Sequence, residues 1–407
     1  MIYRKLIGFI LVIWFVISFV TNILGPIMPL VIETYDLSLS MAAMLPFSFF
    51  LAYGLFSIPA GAMIENLGAK KSLLIAFSLN LVGALSFAAF PLYLTALAAL
   101  FILGIGMATL QVIINPLMRT AGGEENFAFF AVMAQLVFGL ASFISPFAFS
   151  KLMASFASPE HNTVKAIFSP LVQSEINWSA LYWIFAATFI IMIFLVRLFR
   201  FPKLSLEEGE KAGTKEIYLE LLKNRQVWMF FIGIVAYVGT EQAIANWMSE
   251  FLKTYHGFDP ELRGAQAVAW FWGSMTIGCV LGLVLLRIFD ARWVLGIEVL
   301  VTMIVLGIAL YGPAGMSAVA FSILGFCICL MFSIIFSTAL NSVLSHPGAF
   351  SGILCTGIFG GALLPLVVGI IGDYTSLRTA LTVVFIPLAY IGYIALKSKP
   401  IIENKRI

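Results

Sequence analysis

What most restricts this chain is a series of long apolar stretches, each near the ~20 residues that a helix needs to cross a bilayer's hydrocarbon core. A window of that length finds twelve of them, at 6–30, 40–64, 72–90, 93–117, 127–150, 179–200, 226–253, 264–287, 293–312, 317–343, 349–372 and 377–396. Charged residues make up 11% of the 407 residues and hydrophobic residues 61%, whereas an ordinary soluble domain is ~25% charged. Within lipid a backbone must satisfy its own polar groups, and a continuous apolar stretch of this length does so as a helix. A water-soluble globular protein is excluded. The expected fold class is an all-α membrane protein with twelve transmembrane helices.

Six stretches lie on each side of one long polar segment, so the expected organisation is two six-helix bundles, 1–200 and 226–407, joined by a cytoplasmic linker at 201–225. Within that linker the apolar residues near 214–223 are spaced as a surface helix. Basic loop residues set orientation, and with both termini cytoplasmic eighteen of the 23 Lys and Arg fall inside. The stretch after Arg4 and Lys5 is too long for a signal peptide and shows no small-residue cleavage site before Asn22, so it is read as a retained first span. The long external loop near 151–178 has no role readable from its residues. The four cysteines, Cys279, Cys327, Cys329 and Cys355, sit in apolar runs without metal spacing, and there are only three His. Disulfides, metal sites and cofactors are therefore not expected. A net charge of +3 suggests no nucleic-acid partner.

The two halves repeat weakly. Span 2 is followed by Gly61-x-x-x-Glu65-x-x-Gly68-x-Lys70-Lys71, and span 8, in the equivalent place, by Arg287-x-x-Asp290-x-Arg292. Such duplication is the architecture of many secondary transporters. The first loop resembles the signature between spans 2 and 3 of the major facilitator superfamily, with Glu65 where Asp is usual. Glu65, Lys70, Lys71, Asp290 and Arg292 are accordingly expected to pair in one conformation and release in the other.

Polar side chains inside a span are costly, so each is a functional-site hypothesis. Span 4 carries Gln111 and Asn115 four residues apart, on one helix face, followed by Pro116. Span 7 carries Glu241, Gln242, Asn246 and Trp247, with the same four-residue spacing between its two amides. Span 10 carries Ser337, Thr338 and Asn341. Asn22 precedes Gly25, Pro26 and Pro29, which predicts an irregular first span, and Gln135 lies in span 5. Asn80 is read as structural. A carboxamide both donates and accepts, as a sugar hydroxyl does, and an indole suits the apolar face of a sugar. The competing reading is that such amides are packing glue between helices. The helix-softening runs 139–146 and 357–372 are expected to allow close helix contact and bending.

The stretch QVIINPLMRTAGGEENFAFFAVMAQLVFGLASFISP and the span 7 stretch YVGTEQAIANWMSEFL resemble the fucose–galactose–glucose permease family of the major facilitator superfamily, over most of the chain and in order. The resemblance implies two pseudo-symmetric bundles and a monosaccharide held at mid-membrane by Asn22, Gln111, Asn115, Gln135, Gln242, Asn246, Trp247 and Asn341. It also implies a lipid-embedded monomer in a bacterial cytoplasmic membrane. The proton-coupled fucose permease has acids where this chain has Asn22 and Gln111, neither of which can take up a proton. Span 8 has Gly278-Cys279 where Gly-Arg is frequent. Glu241 is the acid left deep in a span, and it is read as a proton carrier, a Na⁺ ligand or a fixed acceptor for a sugar hydroxyl. Coupling to Na⁺ or H⁺ is expected. The alternatives are an uncoupled sugar facilitator, a multidrug or metabolite exporter of the same fold, and a non-transporting receptor or scaffold. No catalytic constellation in the spans suggests an enzyme.

Overall fold

The computed structural model describes residues 4–122, 127–159, 162–201, 215–343 and 346–398, and among them there is no strand. Eleven helical segments are long and apolar enough to cross a membrane. One of them, Leu39–Ala89, runs for 51 residues. At 1.5 Å per residue it would span ~75 Å if straight, more than twice the hydrocarbon core. It reverses at Gly68, whose φ of 75° lies in the left-handed region that costs a glycine little. Spans 2 and 3 are therefore the two arms of this segment, and the chain has twelve spans. Spans 4 to 9 are Tyr93–Gly122, Phe127–Ala157, Ala180–Leu198, Arg225–His256, Ala265–Ile288 and Ala291–Tyr311. The described ends, Arg4 and Ser398, lie at one face, here the terminal face, and the opposite one is the distal face.

Four spans are interrupted or tightened along their length. Span 1 divides into Arg4–Thr21 and Leu24–Tyr35 at Asn22 and Ile23, because Pro26 and Pro29 have no N–H to offer the carbonyls one turn back. Span 10 divides into Ala314–Ile328 and Met331–Ser342. Span 11 passes through a tighter turn, Gly357–Phe359, between Pro347–Thr356 and Gly360–Tyr374. Span 12 does likewise at Thr382–Val384. The surface helix of the polar segment is Lys215–Lys223. It is tied to span 7 by the Trp228 indole, which donates to the Leu222 carbonyl at 2.7 Å. The 151–178 loop contains a short helix, Thr163–Phe168, and a 3₁₀ turn, Ser174–Ser179. The Trp178 indole donates to Thr34 Oγ1 at 3.1 Å, fastening this loop to span 1.

Two hydrophobic cores result. One is built almost wholly from residues 6–196 and the other largely from residues 221–395. Equivalent contacts recur in both. A Cβ at Gly104 of span 4 would collide with the Phe49 carbonyl of span 2, and one at Gly325 of span 10 would collide with the Phe271 carbonyl of span 8. Lys70 Nζ donates to the carbonyls of Arg197 and Phe199 at 2.8 and 3.0 Å, at the end of span 6. Arg292 Nη1 reaches the Ser398 carbonyl at 3.2 Å, just past span 12. Each basic loop residue thus grips the last carbonyls of its own half, where a cation also meets the negative end of the helix dipole.

The halves meet along three helix pairs. Span 1 crosses span 7 where Gly25 lies against the Ala245 carbonyl. Spans 5 and 8 interlock reciprocally, with Thr276 seated on Gly139 and Phe143 on Gly273. Spans 2 and 11 touch through Gly54 and Phe359, Phe50 and Gly361, and Leu39 and Gly369. Gly139 and the glycines of 357–372 supply several of these close approaches. At the distal face the halves are joined by polar contacts as well. Asp373 accepts from the N–H groups of Leu39 and Ser40 at 2.7 and 3.0 Å, capping span 2. Lys253 pairs with Glu33 at 2.9 Å. The structure is therefore closed at the distal face.

Candidate functional site

Span 7 starts from an N-cap in which Asn224 accepts from Gln226 N–H, and it stops at Gly257, whose φ is 65°. Between them the helix places four polar side chains in register. Tyr237 and Glu241, one turn apart, share a face, and the phenol donates to Glu241 Oε2 at 2.7 Å. Gln242 Nε2 donates to Glu241 Oε1 at 3.0 Å, and Asn246 Nδ2 donates to Gln242 Oε1 at 3.4 Å. The result is a continuous ladder around the helix. Its tyrosine end packs on Phe332 of span 10, ring centroids 5.8 Å apart. Its amide end turns to the first half. A Cβ at Gly361 would touch both Gln242 and Phe50 of span 2, and one at Gly25 of span 1 would lie 3.6 Å from Asn246 Cα. Gln242 and Asn246 are buried there and Glu241 is half-buried.

The first half faces this ladder with a neutral set. Tyr53 of span 2 donates to Gln111 Oε1 of span 4. Asn22, at the break in span 1, donates to Ser142 Oγ of span 5 at 2.8 Å, and Ser142 also contacts Ser18 at 2.6 Å. All three of these are buried. The Asn22 amide N–H therefore holds the span 1 break against span 5. Gln135, exposed on span 5, is one turn before Gly139 and shares the face that meets span 8, on the terminal side of that crossing.

Several expectations are placed differently by the structure. Trp247 is fully buried, and its indole donates to the Pro365 carbonyl of span 11 at 3.1 Å. It anchors span 7 within the second half and presents no ring to a ligand between the halves. Asn341 is half-buried in the last turn of span 10, at its terminal-face end, and not beside the ladder. The Asn115 side chain lies outside the described residues, although its backbone is helical one turn past Gln111. Asn80 packs against Gly106 inside the first half. Lys70 and Arg292 bind their own half as described above. Asp290 caps span 9 through Arg292 N–H at 2.9 Å and pairs with the Arg292 side chain at 3.4 Å. Glu65 and Lys71 lie beside the Gly68 reversal. For a Na⁺ ion at Glu241, the carboxylate oxygens already accept from Tyr237 and Gln242, and among the described residues no group of three or more His, Cys, Asp or Glu gathers to hold a metal. The expectations passed over Tyr53, Tyr237, Ser18 and Ser142. The tyrosines were findable: each stands alone in an apolar span, and Tyr237 lies four residues from Glu241.

Comparison with known proteins agrees with this architecture. The family model described as Major Facilitator Superfamily matches residues 10–364. A glucose/galactose transporter of Brucella abortus is 27% identical over 392 residues, covering 94% of this chain and 91% of that protein. An L-fucose-proton symporter of Escherichia coli is 22% identical over 375 residues, covering 88% and 85% respectively. The crystal structure of the E. coli fucose:proton symporter superposes with a TM-score of 0.68 at 19% identity, over 98% of this chain and all of that one.

Proposed function

The chain belongs to the Major Facilitator Superfamily, whose members are membrane transporters and not enzymes, and on that premise we propose that it imports a hexose or deoxyhexose by alternating access. The observation that carries this reading is the amide ladder, Gln242 and Asn246 fused to Glu241, on the face of span 7 that meets the first half. Carboxamides there match the paired donor and acceptor character of sugar hydroxyls. The names borne by its relatives, a glucose/galactose transporter and an L-fucose-proton symporter, support the same substrate class. The sugar sits between Gln242 and Asn246 on one side and the Gln111–Tyr53 pair on the other. Distal closure with terminal release is then the inward half of the cycle, in a monomer whose termini face the cytoplasm of a bacterial cell.

Uptake is coupled to H⁺ or Na⁺ through Glu241. The carboxylate is one hydrogen bond from Gln242, so a change in its charge is felt at once by the amide that binds sugar. The test is uptake of labelled glucose, galactose, mannose and fucose into proteoliposomes under an inward proton gradient, an inward Na⁺ gradient, or neither. Accumulation of one sugar under one gradient is the expected result. Equilibration without accumulation makes the protein a facilitator, and absence of flux for every sugar overturns the substrate class.

A further inference from the structure

Span 7 carries a second buried acid that the sugar site does not use. Glu250 is 8% exposed. Its Oε1 accepts from Thr254 Oγ1 at 2.9 Å, and its Oε2 is buried with no partner. The nearest cation, Lys253, is committed across the halves to Glu33 at 2.9 Å. That ion pair brings Glu33 to the same end of span 7 as Glu250, and the second helix of span 1 also packs on the Pro260–Gly264 turn that carries Glu261. In the 259–264 turn Asp259 spends its carboxylate on the N–H groups of Glu261 and Leu262, and Arg263 lies over the Phe258 ring at 5.1 Å. On the other flank His256 lies beside Phe251, and Arg378 stacks on Tyr255 at 4.4 Å. Lys253 thus lies between an acid of each half, Glu33 of the first and Glu250 of the second, with Glu261 in the adjoining turn.

We propose that Glu250 is a proton-sensitive latch on the distal gate: it binds a proton from the distal side as the halves close there and returns it to the same side as they part. Closure carries Glu33 toward Glu250 and Glu261, and bringing like charges together favours the neutral form of one of them. The orphan Oε2 makes Glu250 the member for which an unshared charge is most costly. A proton needs only that one oxygen, whereas a hard metal cation needs a shell of six or more. The latch regulates how often the carrier closes and does not carry the driving ion, so it stands beside the coupling assigned to Glu241. It rests on the alternating-access reading and on no particular sugar.

The experiment measures the gate without sugar. Spin labels introduced as unnatural amino acids at Lys151 and Leu262, both exposed on the distal side and in opposite halves, report its distance in nanodiscs. Between about pH 5 and about pH 8 the closed-to-open ratio should fall about tenfold or more, because the closed state holds the proton more tightly than the open one and loses that advantage as pH rises. Glu250→Gln should hold the gate closed across that range. Lys253→Gln, which changes a partly exposed side chain, should steepen the pH dependence and serves if the first variant does not fold. A wild-type ratio that ignores pH, or a Glu250→Gln protein that titrates like wild type, overturns the proposal. So does loss of the pH dependence in Glu241→Gln with its retention in Glu250→Gln. Hexose counterflow, measured separately, should be slowed in Glu250→Gln, whose gate opens less often, and be normal in the wild type. Its absence in the wild type would fault the sugar reading and leave the gate measurement intact.

Discussion

In the first half, Asn22 gives its amide N–H to Ser142 and Gln111 accepts from Tyr53, so the polar groups facing the centre are neutral and already engaged within that half. In the second half, Glu241 takes two hydrogen bonds from its own helix, Glu298 of span 9 receives Leu330 N–H at the break in span 10 at 3.2 Å, and Glu250 keeps an oxygen without a partner. No Asp or Glu falls in the six apolar stretches of the first half. Two halves built on one plan have therefore divided the chemistry. The first presents an uncharged wall to the centre, and the second carries the acids that lie within the spans, Glu33 at the distal edge being the first half's contribution to the gate.

The largest effects should come from separating these two walls by mutation. Gln242→Ala or Asn246→Ala removes hydrogen bonds that sugar hydroxyls would otherwise make in a buried setting, and sites that lose such bonds discriminate by roughly 10²-fold or more. Sugar uptake should fall by that order, with folded protein retained on size-exclusion chromatography. Asn22→Ala should cost under about 10-fold, because its amide is spent on Ser142 and its loss removes about one hydrogen bond, ~1 kcal/mol. Equal losses on the two sides would end the distinction drawn here.

Next is Glu241→Gln, which keeps the shape of the ladder and removes the charge. Gradient-driven accumulation should collapse to equilibration, while exchange of labelled for unlabelled sugar persists. Loss of exchange as well would make Glu241 a sugar contact and not the coupling group.

How far this division could be read from the chain depends on the kind of signal. The twelve spans follow from run length alone, and the break in span 1 follows from Pro26 and Pro29, because a missing N–H is a local fact. The surface helix Lys215–Lys223 follows from its spacing. The direction of Trp247 does not. Trp247 directly follows Asn246, so in the sequence it reads as part of the amide lining although successive residues lie about 100° apart round a helix. Only the fold shows that the Pro365 carbonyl claims it. Lys70 and Arg292 were recognisable as a repeated pair, but that each holds the end of its own half required span 6 and span 12 to be placed beside them.

Two contacts inside the second half offer a sharper comparison of smaller size. Glu298→Ala leaves Leu330 N–H without its acceptor inside the bundle, a loss of about 1–3 kcal/mol, which thermal unfolding in detergent would register and Glu298→Gln should largely restore. Trp247→Phe keeps an aromatic ring but gives up the second ring of the indole and frees the Pro365 carbonyl. It should cost about 1–3 kcal/mol from the lost hydrogen bond and the small cavity together, with no change in the concentration of sugar giving half-maximal uptake. A marked change in that concentration would return Trp247 to the binding site.

The smallest expected effect tests the symmetry itself. Lys70 and Arg292 occupy equivalent loops and make equivalent contacts, the first to Arg197 and Phe199 carbonyls and the second to the Ser398 carbonyl. A cation at a helix C-terminus contributes about 0.3–1 kcal/mol. Lys70→Ala and Arg292→Ala should therefore each lower stability by that amount. The double variant should be additive, since each residue serves its own half and distant sites without shared partners add within ~0.5 kcal/mol. If these side chains instead pair across the halves when the terminal face closes, the two losses will be coupled, and each single variant will shift the distal-gate distance measured between Lys151 and Leu262. Additive losses with an unmoved gate would mean that the repeated basic loop fastens each bundle to itself. The switching would then fall to the distal contacts, Asp373 on the start of span 2 and Lys253 on Glu33, which do join the halves.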